Sequence, residues 1–198
     1  MSLPSVPDTR HGEPSTAIEN KKKLRRALLD LRKQLTDEDR ACFDRKIGRQ
    51  VACYLESHDF KSLGVYLPIR NEPHLYDFYT ELAKHVPLSL PVTREKDLPL
   101  QYVRWKPEDP LVEGTYGVAV PEKQEPVTMP EALLIPCVGY TRNRFRLGYG
   151  GGFFDRTLAC HPSTHTIGIA YSCLLTDFTT EENDIPLACI ITENGIVL

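Results

Sequence analysis

Four glycines in five positions, Gly148, Gly150, Gly151 and Gly152, interrupt the chain where neither a helix nor a strand interior could tolerate them. Lacking Cβ atoms, such a run can enter left-handed conformations, turn successive amide N–H groups toward one point and admit a bulky anion. It reads as a phosphate cradle. An apolar run, Ala132 to Ile135, precedes it, and a segment of helical character, Phe153 to Ala159, follows, so a helix N-terminus can reinforce the amides. Arg142, Arg144, Arg146 and Arg156 supply positive charge around it. A tight turn or a plain loop would also use glycine. Two nucleotide motifs are excluded: no Gly-Lys-Ser/Thr follows, and the third glycine of GxGxxG would fall on Phe153.

The remaining composition narrows the class. A chain of 198 residues with 41% hydrophobic residues can bury one good core and needs only one domain. Its 24 basic and 27 acidic residues give a net charge of −3, which argues against bulk attraction to nucleic acid or an anionic membrane. Six cysteines without a CxxC pair suggest reduced thiols rather than a zinc site or a disulfide framework. No stretch approaches the roughly 20 apolar residues that span a bilayer. A cytoplasmic monomer is expected.

Residues 1–19, rich in Ser, Pro, Thr and charge, read as a disordered leader, with a single domain over 20–198. Leu24, Leu28, Leu31 and Leu35 then form a helical stripe amid basic residues, and Thr36 with Asp39 can cap a second helix carrying Phe43, Ile47 and Val51 inward. Leu63–Pro68 reads as a strand and the segment with Leu75, Phe78, Tyr79 and Leu82 as a helix. Strands follow at 88–93, 100–105, 166–171 and 189–193. The expected fold is a single three-layer α/β/α domain with a largely parallel sheet and two N-terminal helices. In such sheets ligands bind at the carboxyl ends of strands, which is where Leu67 and Glu72 fall.

The string from Leu133 to Leu158, LLIPCVGYTRNRFRLGYGGGFFDRTL, resembles the signature of the 5-formyltetrahydrofolate cyclo-ligase family, with Phe153-Phe154 where two tyrosines are usual. Lys21-Lys22-Lys23-Leu24-Arg25 resembles the family's N-terminal KxxxR. The resemblance implies that ATP is held by residues 21–25 and by Arg146, Leu147, Gly148, Tyr149, Gly150, Gly151, Gly152, Phe153 and Phe154. It implies that folate meets Leu67, Glu72, Tyr116, Tyr149, the three consecutive glycines and Phe153. Arg146 and Tyr149 would be catalytic, and Asp155 with Asp184 would hold Mg2+. Some family members carry lysine at the position of Gly151. Ala188 departs from the pattern, since an acidic residue is usual there. The implied reaction is ATP- and Mg2+-dependent cyclisation of 5-formyltetrahydrofolate to 5,10-methenyltetrahydrofolate, with ADP and phosphate released through a phosphorylated formyl intermediate. Two alternatives stand beside it: a paralogue using the same ATP site on another N-formyl or thiamine-related compound, and a non-catalytic nucleotide- or RNA-binding module.

Overall fold

The computed structural model describes residues 14–181 and 183–198. Its elements run α1 (Pro14–Gln34), α2 (Asp37–Glu56), β1 (Leu63–Gly64), α3 (Tyr76–Leu82), β2 (Leu88–Val92) and β3 (Gln101–Trp105). There follow β4 (Leu111–Glu113), β5 (Ala119–Pro121), β6 (Ala132–Pro136), β7 (Gly139–Tyr140), β8 (Arg146–Leu147) and α4 (Phe153–Cys160). The chain ends with β9 (His165–Ile169), β10 (Cys189–Thr192) and β11 (Gly195–Val197).

Local chemistry sets the helix ends. Thr36 takes an extended conformation and its hydroxyl accepts the Asp39 N–H, while Asp37, Glu38 and Asp39 meet the positive end of α2. The start of α1 lies further upstream than the leader boundary allows, because residues 14–19 are its first turns. Proline is tolerated at a helix start, and Ile18 is exposed, so it adds no inward apolar position for periodicity to detect. Residues 1–13 lie outside the described residues.

Seven strands form one sheet in the order β11-β10-β9-β6-β1-β2-β3. The five central strands are parallel, and β3 and β11 close the edges antiparallel. The central strands are mostly apolar: Leu133, Ile135, Ile167, Ile169, Ile190 and Ile191 are wholly buried, as expected of a sheet covered on both faces. Helix α2 packs on β10 and β11, and α3 sets Tyr79 edge-on against Trp105 of β3. In α4 the Thr157 hydroxyl accepts the Leu100 N–H. The α/β class with its mostly parallel sheet and N-terminal helix pair is as the sequence implied.

Strand order reverses between β1 and β6: the chain proceeds from β1 to β2 on one side, and later from β6 to β9 on the other. The crevice at such a switch point, at the carboxyl ends of the strands, is the usual ligand site of an open α/β sheet.

Candidate active site

A cavity of about 980 Å³ occupies that crevice, with Tyr66 and Leu67 beyond β1, Val92 and Thr93 at the end of β2, and Pro136 at the end of β6 along its wall. The short hairpin β7–β8 delivers the glycine run to its rim. Gly150 has φ +93° and Gly152 φ +66°, whereas Gly151 is not left-handed. Gly152 serves as the N-cap of α4, so the loop runs directly into a helix N-terminus with Asp155 in its first turn.

Three cations converge here. Arg25 Nε donates to the Gly148 carbonyl at 2.8 Å, which ties α1 to the loop. Arg146, buried on β8, pairs with Asp155 and donates Nη1 to the Ile185 carbonyl at 3.3 Å. Lys21 bridges Glu181 at 2.8 Å and Asp184 at 2.9 Å. Burial lowers the pKa of the Lys21 ammonium, but its hydrogen bonds and the carboxylate charges outweigh that, so the net shift is upward and its charge is secure. Burial lowers the pKa of Arg25, yet a guanidinium remains charged at any ordinary pH.

On the other wall stands a buried polar chain. The Tyr149 hydroxyl donates to Glu72 Oε1 at 2.7 Å, and Glu72 Oε2 accepts the Ile69 N–H at 2.9 Å. Burial raises the Glu72 pKa, opposed by those two hydrogen bonds and by the charges of Arg32 and Arg70. Burial, then the Glu72 charge, likewise raises that of Tyr149, which therefore stays protonated. Tyr116, exposed and with φ +62°, sits at the rim, its ring 5.8 Å from that of Phe153.

The cavity thus gathers Lys21, Arg25, Leu67, Glu72, Tyr116, residues 146–155 and Asp184. It does not gather Lys22, Lys23 or Leu24, because residues 21 and 25 share one helix face and those between turn away. Lys23 is exposed, and Leu24 packs on the core. Two participants escaped the sequence reading: Glu181, whose partner Lys21 lies 160 positions away, and Arg32, which looked like one more solvated cation of a basic helix.

Among the described residues, no three of His, Cys, Asp and Glu cluster as a metal cage. Magnesium seldom needs one, since it is commonly held by one or two carboxylates together with substrate phosphates. Asp155 and Asp184, both on the cavity wall, fit that donor set, each now paired with a cation that phosphate oxygens can claim.

Residues 17–193 match the model of the 5-formyltetrahydrofolate cyclo-ligase family. The chain belongs to that family. Its curated relatives include the 5-formyltetrahydrofolate cyclo-ligase of Mycoplasma pneumoniae, 27% identical over 88% of this chain and 99% of that protein. Another, from Mycolicibacterium smegmatis, is 30% identical over 69% of this chain and 76% of that protein. A solved 5,10-methenyltetrahydrofolate synthetase from Mycoplasma pneumoniae superposes with a TM-score of 0.73 at 26% identity, covering 88% of this chain and 99% of the other. The Aquifex aeolicus synthetase gives the same TM-score at 27% identity, covering 89% and 91%. These matches place this cyclo-ligase family member among enzymes, and no helix among its described residues is long and apolar enough to cross a membrane.

Proposed function

We propose that the protein cyclises 5-formyltetrahydrofolate to 5,10-methenyltetrahydrofolate with ATP as phosphoryl donor. The observation that carries this reading is the shared enclosure: a glycine loop with three cations faces the same cavity as the Glu72–Tyr149 pair and an apolar wall. Its volume lies at the top of the roughly 300–1,000 Å³ range of small-molecule sites, which suits two substrates meeting.

The chemistry follows from a poor leaving group. The formyl oxygen attacks the γ-phosphorus of ATP, and the bond to the ADP oxygen breaks. The neighbouring nitrogen then attacks the activated carbon and loses its proton, and the C–O bond breaks as phosphate departs. No protein nucleophile takes part, so positioning and charge stabilisation must do the catalysis. The amides of the glycine loop and the side chains of Lys21, Arg25 and Arg146 align the phosphates, which replace Asp184 and Asp155 as acceptors for Lys21 and Arg146. Bound magnesium adds charge neutralisation at the phosphate oxygens, and Asp155 and Asp184 are the side chains that would hold it. Glu72, acceptor only while ionised, suits the N–H donors of a pterin. Tyr149 and Phe153 wall the ring from water.

The test is optical. Purified protein with 5-formyltetrahydrofolate should build up the absorbance of the conjugated methenyl product only when ATP and Mg2+ are both present. Growth without nucleotide, or none at all by protein of native circular dichroism, would refute the reading.

A further inference from the structure

Arg32 lines neither the cavity nor the basic groove beside it, yet it is among the largest wholly buried side chains of the molecule. Burying a guanidinium is costly unless its donors are used. Here Nε donates to the Arg70 carbonyl at 3.0 Å and Nη2 to the Tyr149 hydroxyl at 2.6 Å, while Nη1 has no hydrogen-bond partner among the described residues. Among the described residues no carboxylate pairs with it, so simple ion pairing there does not explain its place.

Donor chemistry fixes what this contact does. Arginine can only donate, and an ionised carboxylate can only accept. The Tyr149 oxygen must therefore receive from Arg32 and point its single hydrogen at Glu72. The second contact acts on the same carboxylate from the other side. Arg70 and Asn71 have φ +48° and +61°, a left-handed pair that non-glycine residues resist, and the Arg70 carbonyl is the point at which Arg32 grips it. That turn carries the Ile69 N–H back onto Glu72. Both guanidinium groups also lie near the tyrosine ring, Arg70 at 5.3 Å and Arg32 at 5.9 Å from its centroid.

We propose that Arg32 is a positioning residue for the folate end of the site, acting through the Tyr149 hydroxyl and the 69–72 turn to hold Glu72 as an oriented acceptor. It touches no substrate. This rests on the proposed cyclo-ligase reading, and the two can fail separately: wild-type protein without conversion sinks the reading, whereas active wild-type protein with the wrong pattern below sinks only this inference.

The experiment is a double-mutant cycle of Arg32→Met and Tyr149→Phe, with KM for 5-formyltetrahydrofolate and for ATP measured on each protein. In the wild-type background Arg32→Met should raise the folate KM by about tenfold or more while the ATP KM moves by less than about twofold, and the folate effect should shrink to about twofold on Tyr149→Phe, as coupled residues behave. A residue that merely stabilises the fold would lower the melting temperature and leave KM unchanged, or lose equally on both backgrounds. Either result overturns the proposal. Should Arg32→Met fail to fold, Arg32→Lys is read in the same cycle: it keeps the charge but lacks the fork that reaches both oxygens, so a smaller, still non-additive rise is expected. Unchanged or additive KM values for Arg32→Lys would overturn the proposal as well.

Discussion

The sharpest residue-level demand is made by the loop at 148–152. Gly150 and Gly152 hold left-handed backbones, and any side chain there is strained whatever space surrounds it. Gly151 is free of that constraint: a Cβ would meet only the Phe153 ring at 3.0 Å, and at Gly148 it would meet nothing within 4 Å. Gly150→Ala and Gly152→Ala are therefore expected to lose ATP turnover, while Gly151→Lys keeps measurable activity and Gly148→Ala stays near wild type. Turnover assays on four proteins of native circular dichroism check the ordering, and a Gly151→Lys protein as inactive as the first two would break it. The glycine spacing was legible because composition alone forbids regular structure there. Arg32 and Glu181 were not, because their partners lie 117 and 160 positions away, where local pattern does not reach.

At the scale of elements, α1 shows where a stripe of leucines misleads. Leu28 is buried and reaches Gly139, where an added Cβ would stand 2.6 Å from Leu28 Cδ1. Leu31 is 37% exposed. The inward face is Lys21, Leu24, Arg25, Leu28, Arg32 and Leu35, so polar side chains serving the site share the stripe with apolar ones. Periodicity that counts only leucines cannot see this. Leu28→Ala should cost about 2–4 kcal/mol of unfolding free energy, as buried leucine truncations do. Leu31→Ala should fall within about 0.5 kcal/mol of wild type, as surface changes do. Urea unfolding distinguishes them, and equal losses would mean that α1 is rotated from this register. The strands near residues 88, 132, 165 and 189 were readable because parallel strands covered on both faces are continuous apolar runs. The β4–β5 and β7–β8 hairpins were not, since strands of two or three residues leave no alternation to read.

Across the whole molecule the sheet separates stability from chemistry: the cavity is at the carboxyl ends of the parallel strands, and His165 opens β9 at the amino ends. Its Nε2 lies 2.8 Å from the Tyr54 hydroxyl, and its ring packs against His58 and Phe60. Burial, then the nearby His58, lowers its pKa from 6.5, so folding favours the neutral ring. The stability this confers is present above the unfolded-state value and is lost as pH falls through the folded one. His165→Asn should therefore lose less unfolding free energy than wild type between pH 7.5 and pH 5, while the KM values for both substrates at pH 7.5 stay unchanged. Parallel urea curves for the two proteins at both pH values would contradict this. The central claim, that the shared cavity exists to phosphorylate the formyl oxygen, is tested most directly by isotope transfer. With 5-formyltetrahydrofolate carrying 18O in the formyl group, in unlabelled water, each released phosphate should contain one 18O by mass spectrometry. Methenyl product formed alongside unlabelled phosphate would contradict it.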